Sequence, residues 1–356
     1  MKALILSGGK GTRLRPITHT GAKQLVPIAN KPIIFYVIEN IVATGIKDIG
    51  IIISAETGDE VKKTVGNGSQ WNVNIQYIVQ ENPKGLAHAV KIAQDFLRNS
   101  SFLMYLGDNL LGGGVKQFYE KFKTYKPDAL ILLKEVENPS SFGVANINSK
   151  GGVEQLEEKP AKPKSNLALV GVYLFSPEIH KIIDTLKPSP RGEFEITDAI
   201  QGLIDNNKKV SSHIIKNWWL DTGKKDDLLE ANTIVLDEII TRNIKGEVDA
   251  DSSVDGRVVL PASAKVINSS IRGPVIIGED AIIKDSFIGP FTSIGDRGKI
   301  NDASIDHCVL LEECKIIGIH GLRDSLIGKR SLVIKTDDKP KHSLKLMLGD
   351  DSTVEV

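Results

Sequence analysis

The chain has 356 residues, 41% hydrophobic and 25% charged, a balance that excludes both a disordered and a fibrous protein. Its length accommodates two or three domains at about 100 to 200 residues each. With 45 Lys plus Arg against 45 Asp plus Glu, no global field attracts nucleic acid or an anionic membrane, so neither is an expected partner and an anionic ligand must meet positive charge locally.

In chain order, Lys2 to Leu6, Ile49 to Ser54, Ile75 to Val79, Phe102 to Leu106 and Leu130 to Leu133 read as buried strands. A helix is expected after Pro32, with an apolar stripe of Ile34, Val37, Ile38, Ile41 and Val42 and a left-handed end at Gly45. Gly85 to Leu97 and Lys225 to Arg242 carry the same helical pattern. Strands alternating with helices predict an α/β domain, a Rossmann-like, mostly parallel mixed sheet over residues 1–242 with ligands at the strands' carboxyl ends.

Beyond about Gly246 the helical period stops and aliphatic residues recur every 17 positions. One column is Val254, Ile271, Ile288, Ile305 and Leu322; a second is Leu260, Ile277, Ile294, Leu311 and Gly328; a third is Val266, Ile283, Ile300, Ile317 and Ile334. Three inward columns predict a left-handed parallel β-helix of hexapeptide type over 247–340, followed by a tail at 341–356. A β-sandwich would alternate at two instead. Gly328-Lys329-Arg330-Ser331 lacks the glycine a Walker loop needs five residues earlier, where Arg323 stands.

Two cysteines, Cys308 and Cys314, make no disulfide framework and fit no four-ligand zinc spacing, which suits a reducing cytoplasm. The apolar run Ala3 to Leu6 is too short for a signal-peptide core or a bilayer span.

The chemistry concentrates near the first strand. Ser7-Gly8-Gly9-Lys10-Gly11-Thr12-Arg13 is a glycine-rich turn whose backbone N–H groups can approach phosphate, with Arg13 adding a bidentate contact. A plain strand-to-helix turn is the alternative. Leu14 occupies the third glycine position of a dinucleotide fingerprint, and no GK[ST] follows. Asp108 and Asp221 each follow an apolar strand-like run, a placement that suits oxygen ligation of Mg²⁺ or, singly, a turn or a helix cap.

Gly8-Gly9-Lys10-Gly11-Thr12-Arg13-Leu14, Lys23-Gln24-Leu25-Val26-Pro27 and Asn30-Lys31-Pro32 resemble the signature of the sugar-1-phosphate nucleotidyltransferases. Gly107-Asp108-Asn109, Phe142-Gly143-Val144, Glu157-Glu158-Lys159-Pro160 and Trp219-Leu220-Asp221-Thr222-Gly223 follow in that family's order, and its long-form members also end in a β-helix. Lys23-Gln24 is similar to the glucose-1-phosphate thymidylyltransferase branch. Phe142 stands where many members have Tyr, and His88 where short-form members often have Gln.

The resemblance implies that dTTP and glucose 1-phosphate are the substrates, that dTDP-glucose and pyrophosphate are the products, and that Mg²⁺ is held by Asp108 and Asp221. It places Arg13, Lys23, Lys159 and Arg191 in catalysis by charge neutralisation. Leu6, Gly8, Gly9, Gly11, Thr12, Arg13, Gln24, Gln80 and Gly85 fall at the nucleotide; Gly143, Glu158, Lys159, Val170, Arg191 and Glu195 fall at the sugar phosphate. Thr197 and Asp198 suit a helix start. A homo-oligomer is expected from the exposed flanks of a β-helix. Rival readings are UTP use, a bifunctional enzyme with an acetyltransferase site near His307 and His320, and a non-catalytic subunit of the same fold.

Overall fold

The computed structural model describes residues 1–9, 11, 14, 16–17, 21–148, 151–223, 225–335 and 346–355. By internal packing the chain forms two units, one of Met1–Lys10 with Ile34–Asp221 and one of Gly11–Ile33 with Thr222–Val356.

The first unit is built on a nine-stranded mixed sheet. Strands Lys2–Ser7, Asp48–Ser54 and Asn74–Gln80 pair in parallel, and Phe102–Leu106 lies parallel along the other flank of the first strand. The expected β-branched runs form these strands because both faces are covered, and Leu4, Ile5, Ile49, Ile51 and Phe102 are all fully buried. Leu167–Phe175 then runs antiparallel to Phe102–Leu106 and Ala129–Glu135, and a hairpin of Gly143–Ile147 with Val153–Glu158 completes that side.

The helix after Pro32 spans Ile33–Val42, and Gly45 closes it at φ +85° with its N–H donating to Val42 O. The single helix expected from Gly85 to Leu97 is instead two, Leu86–Ile92 and Gln94–Leu97. At Ala93 the N–H bonds back three residues to Val90 O, a tighter turn that lets Val90 and Leu97 both enter the core. The last helix ends at Ile239, three residues short of the expected Arg242, whose guanidinium donates to Gly256 O and Val254 O.

In the second unit, short strands stack into three parallel sheets of seven, seven and five strands, the arrangement of a left-handed parallel β-helix. The first expected column holds throughout, from Val254 paired with Ile271 to Ile305 paired with Leu322. The other two columns need a correction. Ile294 pairs with Leu310 and Ile300 with Ile316, sixteen residues on, so Leu310, Ile327, Ile316 and Val333 point inward where Leu311, Gly328, Ile317 and Ile334 were expected. One corner is a residue shorter, between Ile305 and Val309, and the fixed period hides it because neighbouring residues are aliphatic too. Strands Met347–Leu348 and Thr353–Glu355 add a last rung to two of the sheets.

The helix Lys225–Ile239 is tied to this stack by Asn232, only 1% exposed. Its Oδ1 accepts from Ala29 N at 3.0 Å and Ser293 Oγ at 2.6 Å, and its Nδ2 donates to Phe291 O at 3.0 Å. Asn232→Ala leaves two buried polar groups, Ala29 N and Ser293 Oγ, and the half-buried Phe291 O without this partner, at about 1 to 3 kcal/mol for each buried group. A loss of about 3 kcal/mol or more in urea unfolding is the expected outcome; a loss under about 0.5 kcal/mol refutes this role for the amide.

Candidate active site

In the first unit the carboxyl ends of the parallel strands bring together the end of the first strand, Gln80 and the Gly107–Asn109 turn. Leu6 is buried at this edge, and Gly107 N donates to Leu6 O at 2.9 Å. Gly8 and Gly9 continue from the strand without a helix, and the Oγ of Ser7, 1% exposed, has no hydrogen-bond partner among the described residues. Ser7 was not singled out in the sequence, since a lone serine before a glycine turn carries no signal.

Asp108 precedes strand Asn109–Leu111, which pairs antiparallel with Trp219–Asp221 so that Asn109 faces Asp221. The two expected metal ligands are therefore neighbours at one end of a two-stranded ribbon. Asn109 braces the first of them and the opposite strand: its Nδ2 donates to Asp108 Oδ1 at 2.9 Å, and its Oδ1 accepts from Trp219 Nε1 at 2.6 Å. Two carboxylates suit Mg²⁺, which commonly takes one or two protein oxygens and fills its shell with phosphate and water. No group of three or more His, Cys, Asp or Glu poised for a metal occurs among the described residues.

Glu158 ends its strand directly opposite Gly143, and the two cations expected at the sugar phosphate gather on it. Lys159 Nζ lies 3.7 Å and Arg191 3.3 Å from Glu158 Oε1, while Thr197 donates to Oε2 at 3.3 Å. Arg191 also reaches Glu195 Oε1 at 3.3 Å and Glu193 at 3.6 Å. Lys159 is held at φ +44°, its N–H donating to Phe142 O, which aims the side chain from a strained corner. Val170 is fully buried within strand Leu167–Phe175, and Glu195, 5% exposed, opens the helix Ile196–Asp205 while accepting from Ser189 Oγ at 2.9 Å. Thr197 thus does more than start a helix. Burial first, and then the negative charge of Glu195, pushes the Glu158 carboxyl above its ordinary range.

Gln80 and Gly85 meet at a second corner. Gly85 sits at φ +96° with Phe194 O only 2.5 Å from where a Cβ would stand, so no other residue fits. The Phe194 segment clamps this turn, its N–H donating to Lys84 O and its carbonyl accepting from Ala87 N.

The remaining sites belong to the second unit. Gly11 has φ +61° and its carbonyl accepts from Leu14 N. Lys23 and Gln24 lie in the 3-10 turn Lys23–Leu25, 5% and 3% exposed, and Gln24 Oε1 is buried with no partner among the described residues. An orphaned buried acceptor is costly, which suits a group awaiting a ligand donor. Thr12 and Arg13 lie outside the described residues. His307 is engaged structurally: Nδ1 meets Asp324 Oδ1 at 2.6 Å and Nε2 meets Thr233 Oγ1 at 2.8 Å.

A glycine turn on a mixed α/β sheet, two carboxylates at one end of a ribbon and a cation pair on a half-buried glutamate suit a phosphate-handling transferase, and the chain also carries a β-helix. The nucleotidyl transferase family model matches residues 2–238, and the chain belongs to that family. The resemblance to sugar-1-phosphate nucleotidyltransferases is borne out. The glucose-1-phosphate thymidylyltransferase of Streptomyces antibioticus is 49% identical over 357 residues, covering 100% of this chain and 99% of that protein. The low-salt glycan biosynthesis nucleotidyltransferase Agl11 of Haloferax volcanii is 44% identical over 358 residues and all of both chains. A crystal structure of a glucose-1-phosphate thymidylyltransferase from Bacillus anthracis superimposes with a TM-score of 0.62 at 36% identity, over 66% of this chain and 94% of that one. No helix among the described residues is long and apolar enough to cross a membrane.

Because its surroundings favour the neutral carboxyl, Glu158 contributes full stability only below the ordinary value of 4.5 and loses it as pH rises through its raised pKa. Glu158→Gln is therefore expected to melt no lower than wild type near neutrality, with the difference opening as pH climbs; a thermal melt series in which the variant is the less stable at neutral pH refutes this.

Proposed function

We propose that this chain transfers a thymidylyl group from dTTP to α-D-glucose 1-phosphate, releasing pyrophosphate and forming dTDP-glucose. A phosphate oxygen of the sugar phosphate attacks the α-phosphorus in line, the new P–O bond forms as the α-to-β bridging bond breaks, and no protein nucleophile is needed. The observation that supports this most is the grouping of Lys159 and Arg191 on Glu158 opposite Gly143: two cations for a phosphate beside a carboxylate able to accept from sugar hydroxyls.

Nucleotidyltransferases of this family generally use a divalent metal. In this reading Asp108 and Asp221 hold Mg²⁺, which when bound neutralises phosphate charge. Lys159 and Arg191 then position the sugar phosphate, Gly143 and Val170 offer backbone groups to the glucose ring, and Glu195 steadies Arg191. Arg13 and Lys23 meet the triphosphate and its departing pyrophosphate. Leu6, Gly8, Gly9, Gly11 and Thr12 line the phosphates and nucleoside, while Gln24, Gln80 and Gly85 receive the base. The same reading assigns catalysis to residues 1–242, assembly of a homo-oligomer to the β-helix at 247–340, a cytoplasmic location, and a tail to 341–356 whose strands Met347–Leu348 and Thr353–Glu355 pair onto the β-helix as its last rung.

The test is pyrophosphate release across a matrix of nucleoside triphosphates and sugar 1-phosphates, with dTTP and glucose 1-phosphate expected to give the highest kcat/KM; a large UTP preference removes the thymidylyl assignment. Asp108→Asn and Asp221→Asn are each expected to lower kcat by about 100-fold or more, whereas Lys159→Ala acts mainly through KM for the sugar phosphate. Wild-type kinetics in all three at saturating Mg²⁺ would place the chemistry elsewhere.

A further inference from the structure

Gln80 is 7% exposed at the end of its strand, and its amide is not equally available at both ends. Nε2 lies 2.9 Å from His88 Nδ1 and 3.5 Å from Gly85 O. A carbonyl can only accept, so the amide atom between these two groups is the nitrogen, and both its hydrogens are committed. Oε1 is thereby turned toward the glycine turn, 3.0 Å from where a Gly8 Cβ would stand. A glutamine side chain carries both donors and an acceptor; the fold leaves only the acceptor for a ligand.

This orientation requires His88 Nδ1 to be an acceptor, hence a neutral imidazole carrying its proton on Nε2. The ring is fixed by the first turn of helix Leu86–Ile92 and by stacking on Phe194 at 6.3 Å with an interplanar angle of 26°. It also borders a cavity of about 270 Å³ shared with Gln80, Glu81 and Lys84, so solvent protons reach it.

We propose that His88 is the positioning residue that sets base selectivity, holding the Gln80 amide so that its oxygen meets an imide N–H, as in thymine or uracil, and not the ring-nitrogen acceptor of cytosine. The inference rests on the thymidylyl reading and deepens it. A protonated ring would put Nδ1–H against the amide NH₂, and the amide would turn over to present its nitrogen to the base instead. Burial, then Lys84, then Lys91 hold the His88 pKa below 6.5. Of the other charges near this corner, Asp184 is paired with Lys91 at 3.0 Å and Glu193 with Arg191 at 3.6 Å, while Glu81 lines the cavity. The selective, neutral state is therefore the one present near neutrality, and it is lost as pH falls below 6.5 through the lowered pKa.

The experiment measures kcat/KM for dTTP and for dCTP, with glucose 1-phosphate, across that pH range in wild type, His88→Leu and His88→Gln, with melting curves to establish folding. Wild type is expected to lose its dTTP preference as the pH drops. His88→Leu should have a preference about tenfold smaller near neutrality and little pH dependence, and His88→Gln, whose amide oxygen also accepts, should recover the preference without the pH dependence. A folded His88→Leu enzyme that keeps both the wild-type ratio and its pH slope overturns the inference. Should that variant fail to fold, retention of the slope in His88→Gln overturns it equally. Wild type that turns over no dTTP at any pH brings down the thymidylyl reading and this inference together, whereas dTTP turnover with an unmoved ratio removes the inference alone.

Discussion

In-register parallel pairing is the constraint on which the first unit and its candidate site depend. Ser7 pairs with Ile53, Ser54 with Gln80, and Leu6 with Leu106, so four strands end close to level at a single edge of the sheet. Side chains alternate along a strand, and a slip of one residue in any of these strands would turn Gln80 or the glycine turn to the opposite face. The register is in turn enforced by burial on both faces, where Leu4, Ile51 and Met104 each have one sterically acceptable place. The site inherits its geometry from packing that takes no part in the chemistry.

Charge does the complementary work. With no net charge on the chain, cations meant for a phosphate must be gathered locally, and the structure gathers Lys159 and Arg191 by setting acids among them. Glu158, Glu193 and Glu195 hold Arg191 in the free protein, and Asn109 holds Asp108. Such bracing limits the side-chain entropy to be lost on ligand binding and keeps like charges from splaying the site.

Much of this was legible in the sequence. The β-branched runs and the glycine turn mark the sheet and its ligand edge, because periodicity and backbone freedom are local properties. Asp108 and Asp221 are visible as motifs, but their adjacency depends on the pairing of Asn109 with Asp221, 112 positions apart, which no local pattern encodes. The same holds for Thr197 reaching Glu158 and for His88 fixing Gln80, two polar contacts made by tertiary packing. The shortened β-helix corner escaped because Leu310 and Leu311, and likewise Ile316 and Ile317, are equally apolar neighbours, so hydrophobicity alone cannot say which one points inward.

The β-helix and the signature segment share one unit. Asn30 Nδ2 donates to Ile294 O at 2.7 Å, Ala29 leans on Asn232, and Gly349 of the last rung packs so closely on Pro16 that a Cβ there would stand 2.9 Å from it. The stretch bearing Lys23 and Gln24 is thus upholstered by rungs that lie 264 residues downstream at Asn30 and farther still at Pro16. An excised N-terminal fragment ending near Arg242 would bare this seam, which makes the solenoid less a detachable appendage than a splint for the loop region it follows in the chain.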